Sequence, residues 1–99
     1  MSRRPPETCN SMAELRQEID ALDVELIELL ALRSRCIDRA VDLKRIEGLP
    51  ARTHDRVAQV VANVRATATD RQLDPDLAER LWREIIEWAI AREAEHLGN

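Results

Sequence analysis

The 99 residues of the chain suffice for one domain, over residues 1–99 with a flexible lead-in at residues 1–10. With a net charge of −4 and only Trp82 and Trp88 as aromatic residues, the chain is poorly suited to bind a nucleic-acid backbone or to stack on bases. No apolar stretch reaches the roughly 18 residues of a membrane-spanning helix and the start lacks the apolar segment of a secretory signal, so we expect a cytoplasmic protein.

The first predicted element is a long amphipathic helix from Ser11 to Glu47. Ser11 and Glu14 match a capping box at its start, and Gly48 followed by Pro50 ends it. Its apolar residues recur at helical steps, at positions 15, 19, 22, 26, 29, 30, 37, 40 and 41. About 37 residues at roughly 1.5 Å each give a helix near 55 Å long, which is more than a domain of this size can cover. The helix therefore predicts a two-fold dimer.

Two shorter helices follow, and no segment has the alternating pattern of a strand. The second runs from about Thr53 to Arg71 and carries valines on its inner side. The third has Asp74 as its N-cap and Pro75 in its first turn, and it ends near Gly98. We therefore predict an all-α fold with three helices per chain.

Two cations lie on the apolar stripe of the first helix, where a charge needs a partner. Arg33 and Lys44, the only lysine, are 11 residues apart, which brings them within roughly 20° of each other around the axis. A cation on such a face is paired, reaches out to water, or binds an anion. Arg52 and Arg56 follow in the connection to the second helix, and Arg16 lies near the other end of the first. The set predicts a site for a small dicarboxylate.

Other kinds of site find little support in the sequence. The two histidines have no Ser or Cys partner nearby, and two glycines cannot build a phosphate loop. Cys9 and Cys36 are expected to be reduced thiols, and no Cys/His spacing indicates a metal. Chemistry that needs no acid, base or nucleophile from the protein is a unimolecular rearrangement or elimination, which positioning and electrostatic stabilisation accelerate. The alternative is a non-catalytic dimerisation or regulatory module whose cations reach water.

As an ordered set, these residues resemble the all-helical chorismate mutase family. The set comprises R-x-x-I-D-x-L-D from Arg16 to Asp23, L-x-x-L-L-x-x-R from Leu26 to Arg33, Lys44, P-x-R-x-x-x-R from Pro50 to Arg56, and Leu81, Ile85 and Ile86 on the third helix. The match spans about residues 12–94. The lead-in Pro6-Glu7-Thr8-Cys9, and Trp88 after Ile85-Ile86, additionally resemble the isochorismate pyruvate lyase branch of this family.

The resemblance implies an intertwined helical homodimer with two equivalent sites and no cofactor. It implies that Arg16 of the partner chain holds one substrate carboxylate and that Arg33 also grips a carboxylate. Lys44 is implied to contact the second carboxylate and the ether oxygen of the breaking bond, while Arg56 closes over the ligand.

Four further positions complete the predicted substrate-binding set, namely Arg52, Thr53, Val57 and Ala89. The family often has acidic residues at the positions of Thr53 and Val57, where they help to hold a ring hydroxyl, so the recognised substituent stays open. Glu93 takes the place of the glutamine that donates a hydrogen bond to the ether oxygen. Because a carboxylate cannot donate, Glu93 fills this role only when protonated. The alternative for Glu93 is a solvated glutamate near a helix end.

The leading hypothesis from the resemblance is the Claisen rearrangement of chorismate to prephenate, in the shikimate pathway of aromatic amino acid biosynthesis. Two alternatives use the same cations. One is the elimination of pyruvate from isochorismate to give salicylate, and the other is the rearrangement of 4-amino-4-deoxychorismate. The non-catalytic helical module is the remaining hypothesis.

Overall fold

A computed structural model describes residues 4–98 of the chain. A short 3-10 helix at Pro6–Thr8 is followed by α1 over Met12–Glu47, α2 over His54–Asp70 and α3 over Pro75–Leu97. The described residues include no strand, and the all-α prediction with a long first helix is confirmed. Residues 1–3 of the predicted lead-in lie outside the described part. Among residues 4–98, the helices lack the length and hydropathy of a membrane-spanning segment.

Local chemistry sets both ends of α1. The Ser11 hydroxyl accepts a hydrogen bond from the Glu14 backbone N–H at 3.2 Å, as the capping box predicts. The Glu14 carboxylate accepts from the Asn10 N–H at 2.8 Å, so the second half of the box reaches one residue further back than the pattern suggests. Gly48 ends the helix with φ +71°, a left-handed conformation that favours glycine.

Two compact units make up the chain, Met1–Arg35 and Cys36–Asn99. In the first unit the apolar stripe of α1 is open to solvent. Its larger residues are 41–64% exposed, namely Ile19, Leu22, Leu26, Leu29 and Leu30. No described residue of α1 before Val41 is buried. Because a helix depends on packing of its apolar face for most of its stability, this stripe needs a partner surface.

In the second unit α2 and α3 pack against each other as an antiparallel hairpin. Arg65 on α2 donates to Asp76 at 3.0 Å and to Glu79 at 2.8 Å, both near the start of α3. Arg52, just before α2, pairs instead with Glu87, further along α3. The buried apolar residues of this unit are Val41, Ala51, Val61, Ala68, Ala78, Ile86 and Ala89. Since most of them are alanines, the core is thin and buries few large side chains.

Candidate active site

Lys44 is the centre of the polar contacts that the second unit brings together. Its side chain is only 17% exposed, although it belongs to the last turns of α1. The ammonium donates a hydrogen bond to the carbonyl oxygen of Ala51 at 2.7 Å. It also lies 2.7 Å from Oε1 of Glu93 on α3. Lys44 is therefore held by two partners inside the unit. The hypothesis of a non-catalytic module expected this side chain to extend into water, and it does not.

Among the described residues, Glu93 is the charged residue that is buried, with 4% of its surface exposed. It is not a solvated glutamate. The Lys44 ammonium meets Oε1 at ion-pair distance, but it approaches from a direction that does not make a hydrogen bond, so within the described residues Oε1 accepts none. The ion pair still holds, because Coulomb attraction depends on distance. A buried oxygen thus keeps an unused capacity for a hydrogen bond.

The turn after α1 returns the chain to Lys44. The positive φ of Gly48 reverses the chain direction, and the Leu49 N–H donates to the Lys44 carbonyl at 2.9 Å. The following residues bring Ala51, which is 2% exposed, back beside the helix. On the other side, Glu93 shares the buried edge of α3 with Ala89, one turn before it. These two elements place a carbonyl oxygen and a carboxylate on the same ammonium.

Arg52 is engaged by a carboxylate of its own chain. Its two terminal nitrogens donate to the two oxygens of Glu87 at 2.9 and 2.6 Å. These hydrogen bonds raise the pKa of Arg52 and lower the pKa of Glu87. Sequence reasoning missed Glu87, because it is one of several acidic residues on α3 and is 35 residues away from Arg52. It missed the Ala51 carbonyl as well, since a backbone oxygen leaves no trace in a side-chain pattern.

The other predicted residues of this unit lie around the start of α2. Arg56 is exposed in the first turn and donates to the Gln59 side chain at 2.6 Å. Thr53 is the N-cap residue, but its side chain makes no capping hydrogen bond. Val57 is half-buried. Neither Thr53 nor Val57 adds a carboxylate, and the acidic residue in the first turn of α2 is Asp55.

Arg16 and Arg33 belong to the first unit. Arg16 is exposed on α1 and Arg33 is half-buried there. Neither forms an ion pair within residues 4–98. Two cations without a counter-ion are suited to bind an anion. No group of three His, Cys, Asp or Glu side chains in the described part of the chain is placed to hold a metal ion.

Comparison with known proteins gives one family. Residues 15–94 match the family model of chorismate mutase type II. An isochorismate pyruvate lyase of Pseudomonas aeruginosa is 30% identical over 94 residues, which cover 94% of this chain and 91% of the relative. A 4-amino-4-deoxychorismate mutase of Streptomyces pristinaespiralis is 28% identical over 96% of this chain and 74% of its own length. A chorismate mutase of Methanocaldococcus jannaschii is 22% identical over 87% of each chain.

Proposed function

The chain belongs to the chorismate mutase type II family, and we propose that it is a chorismate mutase, which rearranges chorismate to prephenate. The observation that carries the proposal is the half-buried ammonium of Lys44, held 2.7 Å from the Ala51 carbonyl and 2.7 Å from Glu93. A preorganised cation of this kind stabilises charge that develops in a transition state, because it needs no reorganisation at the moment of reaction.

Lys44 acts on the ether oxygen of the substrate. Of its three N–H bonds, one goes to Ala51, so donors remain for a ligand. In the rearrangement the ether C–O bond breaks while a new C–C bond forms, and negative charge grows on the ether oxygen as the C–O bond lengthens. The ammonium attracts this charge more strongly in the transition state than in the bound substrate, which lowers the barrier.

The two carboxylates of the substrate need further cations. The charges of Lys44 and Glu93 cancel, so this pair alone offers no net positive charge to a dianion. We assign the carboxylates to Arg33 of the same chain and Arg16 of a second chain, because an arginine fork binds a carboxylate through two parallel hydrogen bonds. Arg56, which is exposed at the start of α2, closes over the ligand.

A homodimer follows from this assignment, and the apolar surfaces support it. The stripe of α1 in the first unit is solvent-exposed from Ile19 to Leu30. The second unit contains a cavity of about 290 Å³ on the α2–α3 hairpin, lined by Asn63, Val64, Thr67, Ala68, Leu73, Ala78 and Trp82. A second copy covers such surfaces at little cost, since burial of apolar area is favourable and a two-fold contact uses each patch twice.

Elimination of pyruvate from isochorismate is the second candidate, and Thr53 and Val57 favour it. These positions supply no carboxylate for a ring hydroxyl. The relative from Pseudomonas aeruginosa, which covers nearly the whole chain, is named for that activity. The same cations hold the substrate in this reaction and the same ether C–O bond breaks. Rearrangement of 4-amino-4-deoxychorismate is a third use of the site, and the relative from Streptomyces pristinaespiralis bears that name.

A substrate comparison tests the proposal. The purified protein is incubated separately with chorismate, isochorismate and 4-amino-4-deoxychorismate, and the products are separated by chromatography, with Lys44→Ala as the control. We expect prephenate from chorismate and none from the control. Salicylate from isochorismate with no prephenate would replace the mutase by the second candidate, and consumption of none of the three would refute an enzyme of this family's chemistry.

A further inference from the structure

Arg52 uses both of its terminal nitrogens to bond a carboxylate of its own chain. An arginine grips a carboxylate through its paired terminal nitrogens, and both of these already bond the two oxygens of Glu87. The pair joins the connection before α2 to α3. It is partly exposed, with 37% of the Arg52 side chain and 58% of the Glu87 side chain open to solvent. A contact of this kind adds little stability by itself, but its two-bond geometry fixes a direction.

The residue before Arg52 touches the site lysine. Ala51 is almost completely buried, and its carbonyl oxygen accepts the 2.7 Å hydrogen bond from the Lys44 ammonium. Thr53, on the other side, is extended, with φ −117° and ψ 105°. The side chain of Arg52 therefore anchors the irregular segment between α1 and α2 to α3. The anchor is next to the Ala51 carbonyl, which accepts the hydrogen bond from Lys44.

We propose that Glu87 is a positioning residue: by holding Arg52 it fixes the Ala51 carbonyl, and through that carbonyl it fixes the direction of the Lys44 ammonium. Arg52 belongs to this support and does not bind substrate. The inference rests on the proposed role of Lys44 in the reaction. A displacement of well under 1 Å at a positioned group is enough to slow a reaction several-fold, so a weak surface contact has a measurable effect on turnover.

The first test reads the position of Lys44 without any substrate. Lys44 is the only lysine of the chain, so protein labelled with [ε-13C]lysine gives one side-chain signal by NMR. Glu87→Gln removes the ion pair, and we expect it to shift the Lys44 signal. Asp38→Asn is the matched control. It also removes one negative charge and breaks a comparably exposed two-bond pair with an arginine of α3, Arg92. Equal shifts in the two variants would overturn the inference.

The second test reads turnover. We expect Glu87→Gln to lower kcat about fivefold with KM within twofold, and Asp38→Asn to leave kcat within twofold. The exchanged pair Arg52→Glu with Glu87→Arg restores the link in reverse, and we expect it to recover most of the lost kcat. An Arg52 that binds substrate directly would instead give a raised KM in Glu87→Gln or no recovery in the exchanged pair, and either result overturns the inference.

The two proposals fail in different ways. A wild-type protein that consumes none of the three substrates refutes the proposed function, and the NMR comparison then still decides whether Glu87 positions Lys44. An active wild-type enzyme whose Lys44 signal and kcat are unaffected by Glu87→Gln refutes the positioning role alone. Circular dichroism of each variant confirms that the helices are intact before either reading is taken.

Discussion

Lys44 and Glu93 form an ion pair of 2.7 Å between the last turns of α1 and the buried edge of α3. Either charge without the other would be unfavourable at this position, because removing an unpaired charge from water costs free energy. The pair therefore joins two properties at the same atoms. Lys44 is the group we assign to the ether oxygen, and it is also the counter-ion that keeps a buried carboxylate in the fold.

Lys44→Ala is expected to affect rate and stability together. Loss of a preorganised charge lowers kcat by about 10²–10³. Loss of the counter-ion leaves the Glu93 carboxylate buried and unpaired, which costs about 3 kcal/mol of unfolding free energy. Lys44→Ala with Glu93→Gln is the control, and it should regain stability but not kcat. Steady-state kinetics and thermal unfolding measure both, and a Lys44→Ala enzyme with near wild-type kcat and full helicity would contradict the assignment.

Arg33→Ala offers a contrast, because Arg33 has no ion pair within the described residues. We expect it to lower kcat/KM by at least about tenfold, because one charge-assisted contact with the substrate is lost. The melting temperature should stay close to that of wild type. The reason is that this cation supports the substrate and not a buried carboxylate. A large drop in melting temperature would show that Arg33 has a structural partner instead.

The helices were predictable because their boundaries depend on neighbouring residues. Ser11 caps α1 and Gly48 ends it, as sequence reasoning expected. Asp74 caps α3 by accepting from the Asp76 N–H at 2.9 Å, again through residues close together in the chain. Lys44 was also detectable from the sequence, since a lysine on an apolar stripe breaks the helical pattern.

The partners of Lys44 were less accessible from sequence. Glu93 was selected only through the family resemblance, because one glutamate among several on α3 has no local signal of burial. The bond between Arg52 and Glu87 spans 35 residues and exists only once α2 and α3 are folded against each other. Contacts of this kind depend on tertiary geometry, which neither periodicity nor capping encodes.

The exposed stripe of α1 leads to a prediction on assembly. Leu26→Glu places a charge in the middle of the stripe, where Leu26 is 58% exposed, and we expect it to weaken or abolish the dimer. Ile46→Glu is the control, since Ile46 is 78% exposed and, 20 residues further along, lies about 160° away around the helix. Sedimentation velocity at micromolar concentration measures the mass of each. A folded wild-type monomer there would refute the dimer.

Subunit mixing tests whether two chains share a site. Arg16→Ala and Lys44→Ala chains are each expected to be inactive as homodimers. After exchange of subunits, a heterodimer contains one site with an intact Lys44 and an intact Arg16 from the other chain. About a quarter of wild-type activity should return for random pairing, because half of the dimers then carry one of two sites. If exchange is verified by mass spectrometry and no activity returns, Arg16 does not act in trans.

Asp38 provides a prediction on the pH dependence of stability. The hydrogen bonds from Arg92 hold the pKa of Asp38 below its ordinary value. The folded state therefore binds this proton less readily than the unfolded state, and the pair stabilises the fold at pH values above the ordinary pKa. That contribution is lost as the pH falls through the folded pKa. Thermal unfolding should place Asp38→Asn slightly below wild type at pH 7, with the gap closing in strong acid, and a gap that widens in acid would contradict the pairing.

Glu93 leads to the prediction with the most consequence for mechanism. A carboxylate cannot donate a hydrogen bond to the ether oxygen, whereas a protonated carboxyl group can. We therefore expect kcat to rise as the pH falls below neutrality, until the substrate carboxylates or the fold itself become protonated.

Glu93→Gln should flatten this profile, since an amide donates at every pH, and it should leave kcat at pH 7.5 equal to or above that of wild type. Glu84→Gln, at an exposed position on the same helix, serves as the control and should keep the wild-type profile. The measurement is kcat from pH 5 to pH 9 for the three proteins, with helicity checked at each end. A Glu93→Gln enzyme that is dead at pH 7.5, or a wild type that is fastest above pH 8, would mean that Glu93 serves Lys44 as an ionised counter-ion throughout turnover and never donates to the substrate.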